Sequence, residues 1–157
     1  MPPSHERIIQ AAEGYLELKM FSDVWRELQA LPAEQLSSPE VLNIFLHSLM
    51  GEKRWADALT VVRRLRSERA DDPDSMIHEA YCLHELGMTR EALDLLLKGP
   101  QSLRERPLFF YNAGCYHSRL GELDEAVRML HMAFALDESL KKTAKLDEDL
   151  APLRDKL

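Results

Sequence analysis

Apolar and polar positions along this chain repeat with a period of 34 residues. Three columns of the repeat are apolar in every copy, and they are occupied by Ile8, Leu42, Met76 and Phe110, by Val24, Ala58, Ala92 and Ala126, and by Leu28, Val62, Leu96 and Leu130. Three prolines share the same spacing, at Pro39, Pro73 and Pro107. Self-similarity at a fixed period of this length is typical of a repeat architecture. The pattern therefore predicts four aligned copies over about residues 5–140.

Each copy predicts two helices. Pro39 and its equivalents suit the first position of a helix, because proline has no N–H to leave unsatisfied there. Ser38 and Asp72, just before two of these prolines, can cap the same helix starts. An acidic residue stands in the first turn of each second helix, near the positive end of the helix dipole, at Asp23, Asp57, Glu91 and Glu125. We predict an all-α chain of four such hairpins.

The breaks between these helices also repeat. The first helix of each copy ends near Lys19, Lys53, Gly87 or Gly121. Lys98-Gly99-Pro100 predicts a helix stop, with a glycine just past the end and a proline that cannot continue it. After the fourth copy, residues 141–157 predict a capping helix. Its apolar side chains would cover the last hairpin, and with the preceding residue they are Leu140, Leu146, Leu150 and Leu153.

These positions resemble the tetratricopeptide repeat (TPR), a family of 34-residue helix–turn–helix units. The fourth copy matches the family pattern best, with Phe110, Ala113-Gly114, Gly121, Ala126, Leu130 and Ala133. The resemblance, to small bacterial arrays, implies a single domain over residues 1–157. Its repeats would span about 5–38, 39–72, 73–106 and 107–140, with a cap at 141–157. It also implies an α-solenoid, a right-handed superhelix.

The resemblance further implies a concave groove lined by the first helix of each copy. The groove residues it predicts are Asn43, His47, His78, Tyr81, His84, Tyr111, Asn112 and Arg119. We expect Tyr81 and Tyr111 to neighbour each other there as aromatic anchors for a peptide or protein segment. Two alternatives stay open: these residues form only the solvated face of packed helices, or binding uses another face.

Net charge and the termini narrow the class of protein. The formal charge of −7 argues against nucleic acid, which needs a basic surface to release counterions. The N-terminus lacks the basic and apolar regions of a signal peptide, and no apolar run is long enough for a spanning helix. These features favour a cytoplasmic protein without a membrane partner. Cys82 and Cys115 are too few for a disulfide framework, so we expect free, semi-buried thiols.

The sequence contains few motifs that indicate catalysis or metal binding. His78-Glu79-x-x-Cys82 approaches a zinc-protease helix motif, but a cysteine replaces the second histidine. A phosphate-binding glycine loop and a nucleophile elbow are both missing. We expect no cofactor, no metal and no catalytic residue.

The sequence favours a non-enzymatic adaptor or scaffold that binds a peptide or protein segment, with a monomer preferred. A dedicated chaperone of a type III secretion-like system is the alternative, and an enzyme or metal-binding protein is a distant one. A clamp for chaperone C-terminal carboxylates is disfavoured, because only Asn112 and Arg119 have suitable side chains.

Overall fold

The computed structural model describes residues 4–157, and this part of the chain is helical with no β-strand. The α-helices in chain order are α1 (His5–Glu17), α2 (Phe21–Leu28), α3 (Pro39–Gly51), α4 (Trp55–Glu68), α5 (Pro73–Glu85), α6 (Thr89–Leu97), α7 (Pro107–Arg119), α8 (Leu123–Leu136) and α9 (Leu140–Leu146). Two 3-10 helices follow α6 and α9, at Gln101–Glu105 and Glu148–Lys156. The all-α prediction is confirmed. None of the helices within residues 4–157 combines the length and apolarity needed to cross a membrane.

The predicted helix starts are present. Pro39, Pro73 and Pro107 open α3, α5 and α7. The Ser38 hydroxyl accepts a hydrogen bond from the Val41 N–H at 3.3 Å. The second helix of every pair carries its acidic residue in the first turn. Side-chain caps at Ser38 and Asp72 therefore favour the starts of α3 and α5, and the acidic first turns favour those of the second helices.

All four first helices end in the same left-handed turn. Its central residue has a positive φ in every copy: 58° at Lys19, 60° at Lys53, 84° at Gly87 and 79° at Gly121. In α5, the Met88 N–H donates to the Leu83 carbonyl at 2.9 Å, and the Gly87 N–H donates to the His84 carbonyl at 2.9 Å. This pair of hydrogen bonds is the Schellman motif. The same pair of hydrogen bonds recurs at 34-residue spacing in all four copies. Glycine adopts the left-handed conformation freely in two of them, whereas lysine adopts it at a cost in the other two.

Gly99 has a different role from the one expected at the end of α6. The helix does end beside it, at Leu97, but Gly99 does not adopt a positive φ. A Cβ at this position would instead meet Leu103 Cδ1, and it would lie 2.9 Å from Met76 Cε. Packing against these side chains therefore accounts for the glycine. The 3-10 helix that carries Leu103 was not predicted.

The chain divides into two compact units, and unit 1 ends at Ala70. In unit 1, α1 pairs with α2, and α3 pairs with α4. Side chains from α1, α2 and α3 form one apolar core, which includes Ile8, Ala12, Val24, Leu28 and Ile44. Trp25 and Phe45 add an aromatic contact with ring centroids 4.6 Å apart. The apolar columns of the sequence thus occupy the interior.

Unit 2 runs from Asp71 to Leu157 and contains two further helix pairs and the C-terminal segment. α7 and α8 pack against each other. They lie so close at Gly114 that a Cβ there would be 2.7 Å from Leu130 Cγ. The 3-10 helix Glu148–Lys156 packs on α7 and α8, with Leu150 and Leu153 fully buried. Leu146 is 84% exposed, so its predicted part in the cap is wrong. It faces away because the chain turns between α9 and the 3-10 helix.

The left-handed turn makes a direct prediction. Gly87→Ala should lower the free energy of unfolding by about 1–2 kcal/mol, the cost of left-handed backbone for an L-residue. A Cβ there meets nothing within 4 Å, so the penalty is conformational. Gly14→Ala is the matched control, since it also meets nothing but lies inside α1. That change should be stabilising by about 0.5–1 kcal/mol. Urea denaturation followed by circular dichroism measures both, and equal effects would contradict this account.

Candidate functional site

The predicted groove residues are divided between the two units. Asn43 and His47 lie on α3 of unit 1, where Asn43 is exposed and its backbone carbonyl is 2.9 Å from His47 Nδ1. The other six lie in unit 2, on α5 as His78, Tyr81 and His84 and on α7 as Tyr111, Asn112 and Arg119.

Three of the unit 2 residues are not open surface. His84, Tyr111 and Asn112 are buried, and Tyr111 is only 5% exposed. The chain's own C-terminal residues cover this face through contacts with His84 and Tyr111. The expectation that Tyr111 is an exposed anchor is therefore wrong. We call residues 147–157 the tail, and we call the five side chains that bind it the tail site: His84, Tyr111, Cys115, Ser118 and Arg119.

Asp147 is held by the side chains of α7. The Tyr111 hydroxyl donates to Asp147 Oδ2 at 2.8 Å, and the Cys115 thiol is 3.6 Å from the same oxygen. The other carboxylate oxygen accepts from the backbone N–H of Asp149 at 3.0 Å, which caps the 3-10 helix. One carboxylate thus fixes both the position and the first turn of the tail.

Asp149 joins α5 and α7. His84 Nε2 is 2.9 Å from Asp149 Oδ2, and Arg119 Nε is 3.2 Å from Oδ1. The Ser118 hydroxyl donates to the Asp149 carbonyl oxygen at 2.6 Å. Asp149 thus accepts hydrogen bonds at Oδ2 and at its carbonyl oxygen, and its Oδ1 is paired with the Arg119 cation, as a partly buried carboxylate requires.

The geometry of α7 explains how the site is built. Tyr111, Cys115 and Ser118 are four and three residues apart, so they lie on one helix face. His84 is oriented from its other ring nitrogen, since Nδ1 is 2.9 Å from the Thr89 hydroxyl. Its ring also packs on Tyr116, with centroids 4.7 Å apart. The donors are thus preorganised on two helices rather than on loops.

A cavity of about 270 Å³ lies beside these contacts. Tyr81 and Tyr111 both line it. The Tyr116 hydroxyl, on the same cavity wall, is buried without a hydrogen-bond partner. A hydroxyl in this state is commonly satisfied by a water molecule in a polar cavity.

Burial controls the protonation of the site. It raises the pKa of Tyr81 to about 12 and that of Cys82 to about 11, with smaller effects from nearby carboxylates. The pKa values of Tyr111 and Cys115 are raised further by burial, and Asp147 contributes to both. At neutral pH these groups keep their protons. The Tyr111 hydroxyl and the Cys115 thiol are therefore available to donate to Asp147.

Cys115, Asp147 and Asp149 offer possible metal-ligand atoms within 4.8 Å of one another. The surrounding groups fit a metal poorly, because both carboxylates already accept hydrogen bonds and the Arg119 cation lies beside Asp149. His78 and Cys82, the pair noted in the sequence, do not belong to this cluster. The arrangement is suited to binding carboxylates.

Sequence reasoning identified one half of the site. His84, Tyr111 and Arg119 were predicted as groove residues, but Asp147, Asp149 and Ser118 were missed. The signal in the sequence is the run of acidic residues directly before Leu150 and Leu153. From this segment we predicted only that the leucines cover the last hairpin.

No protein-family model and no curated protein matches this chain. The tetratricopeptide resemblance therefore stays a prediction.

The raised pKa values predict a stability that falls in alkaline solution. Cys82 and Tyr81 favour their neutral forms when folded, so their contribution is complete below their ordinary values of 9.0 and 10.0. It should be lost as pH rises through about 11 and about 12. Urea midpoints from pH 8 to 12 should show the decline. Phenylalanine cannot ionise, so Tyr81→Phe should reduce the decline of the urea midpoint above pH 10. A decline parallel to that of the wild type would show that Tyr81 ionisation is not its cause.

Proposed function

We propose that this protein is a non-enzymatic adaptor or scaffold of the tetratricopeptide type. In this proposal the four hairpins form a right-handed solenoid, and the faces of the first helices bind a segment of a partner protein. We expect it to act as a monomer in the cytoplasm. Two features support the repeat assignment: the 34-residue columns and the Schellman turn that closes α1, α3, α5 and α7.

The observation that carries the binding function is the tail site. The first helices α5 and α7 of unit 2 already hold a non-α-helical segment through side-chain hydrogen bonds and two buried leucines. A face that binds one segment in this way has the donors and the apolar sockets that peptide recognition needs.

The first helices of unit 1 present a different surface. A cleft of about 480 Å³ is lined by polar side chains of α1, α3 and the loop before α3, and three of its residues are acidic: Glu6, Glu13 and Glu40. Such a cleft favours a basic or amide-rich segment. The two units thus offer different chemistry to a partner.

Protonated thiols support a binding role over covalent catalysis. Cys82 and Cys115 are the strongest nucleophiles by residue type, but both are buried with raised pKa values. A catalytic cysteine needs a lowered pKa and an accessible thiolate.

Affinity capture with variant baits tests the proposal. Tyr81→Ala and Asn43→Ala alter first-helix faces, whereas His131→Ala alters an exposed position on α8. Loss of an aromatic anchor costs about 2 kcal/mol, roughly thirtyfold in affinity. Quantitative mass spectrometry should therefore show a partner retained by wild type and His131→Ala but depleted by Tyr81→Ala or Asn43→Ala.

Circular dichroism of each bait checks that it is folded. Identical proteins recovered with all three folded variants would move the binding surface away from the first helices and contradict the proposal.

A further inference from the structure

We propose that the tail site recognises acidic segments of the pattern Asp-x-Asp-Leu-x-x-Leu in partner proteins. In this scheme residues 147–153 are its resident occupant, and a partner segment of the same chemistry binds by replacing them. The inference rests on the proposed function and specifies which partner chemistry unit 2 accepts.

The tail is bound through alternate side chains. Asp147 and Asp149 point into the site, Glu148 between them is exposed, and Leu150 and Leu153 are fully buried. Specificity for a bound segment comes from the side chains that point into the site. The site therefore recognises a sequence pattern with two carboxylates and two leucines.

The donor set belongs to unit 2 and is not a general property of the repeat. The position of Arg119 is occupied by Glu17, Gly51 and Glu85 in the earlier copies, and that of Tyr111 by Ile9, Asn43 and Ile77. In α1 the carboxylates of Glu13 and Glu17 would repel an acidic segment. Selectivity for carboxylates is thus confined to the face of α5 and α7.

Hydrogen bonds within the tail set its local conformation, with Asp147 capping the Asp149 N–H and Arg154 donating to the Asp147 carbonyl oxygen, but they do not attach it to α5 and α7. It forms a 3-10 helix that contains Pro152, and hydrogen bonding in such helices is weaker than in α-helices. The residue before it, Leu146, is 84% exposed, and the preceding α9 has seven residues. Contacts with the site, rather than the tail's own structure, determine where it lies. This is how a bound peptide behaves.

Covalent attachment gives the tail an advantage over a free competitor. A segment on a short flexible linker acts at an effective concentration on the order of millimolar. A partner segment must therefore bind more tightly than the tail or gain contacts elsewhere on the protein. Weakening the tail should expose the affinity of the site for a segment added in trans.

The test uses the full chain, a variant with Asp147→Asn and Asp149→Asn, and a fluorescein-labelled synthetic peptide of residues 146–157. Fluorescence anisotropy should show at least tenfold tighter peptide binding by the variant than by wild type. A peptide with asparagine at both acidic positions should bind at least tenfold more weakly. The matched controls change Glu148 to glutamine, in the chain or in the peptide, and should leave affinity unchanged because this side chain is exposed.

Cys115 provides a second readout in the same samples. Its thiol is 3.6 Å from Asp147 Oδ2, whereas Cys82 is fully buried on α5. Maleimide should modify Cys115 faster in the variant, and the unlabelled peptide should slow that reaction again. Cys82 should react at the same slow rate throughout.

Three results would overturn the inference. One is equal affinity for the acidic and the asparagine peptides. Another is loss of cooperative unfolding in both the double variant and Asp149→Asn alone, which would make the tail a fixed part of the fold. The third is a dimer with exchanged tails, seen by light scattering, which would make a second copy the occupant. If these peptide experiments contradict the inference but Tyr81→Ala still loses its partner in affinity capture, only the inference is wrong and the proposed function is unaffected.

Discussion

Two aspartate side chains of the C-terminal segment accept hydrogen bonds from donors on α5 and α7, and the position of the tail on unit 2 depends on them. Partly buried carboxylates are stable only when donors satisfy their oxygens. Tyr111 and His84 supply these donors, and Arg119 adds an ion pair with Asp149. Once the aspartates are fixed, Leu150 and Leu153 reach the apolar surface of α7 and α8. The same contacts cover Cys115 and so remove it from solvent.

The helical elements were predictable because local chemistry determines them. A proline at the first helical position, a capping Ser38 or Asp72, and an acidic first turn act within a few residues of each helix start. The positive φ of the second residue after each first helix is also local, and it appears in the sequence as a column of glycine and lysine. A helix start or turn that is determined by residues a few positions away can be predicted from the sequence without knowing the fold.

The state of the binding face was not predictable in the same way. Tyr111 and Asp147 are 36 residues apart in the chain, and their hydrogen bond depends on where the tail returns. The family resemblance predicted Tyr111 as a groove residue of a first helix, but it could not show that the tail covers this side chain. Gly99 is a second example. A glycine suits this position because a Cβ would meet Leu103, which lies on a 3-10 helix that the sequence pattern did not predict.

The central claim is that side chains of α7 bind the carboxylates of the tail, and a double-mutant cycle between Tyr111→Phe and Asp147→Ala tests it most directly. Each change alters other contacts, but the cycle isolates the coupling between the two side chains. A hydrogen bond to a charged group predicts a coupling free energy of about 1.5 kcal/mol or more in urea unfolding. Additivity of the two changes within about 0.3 kcal/mol would contradict the account.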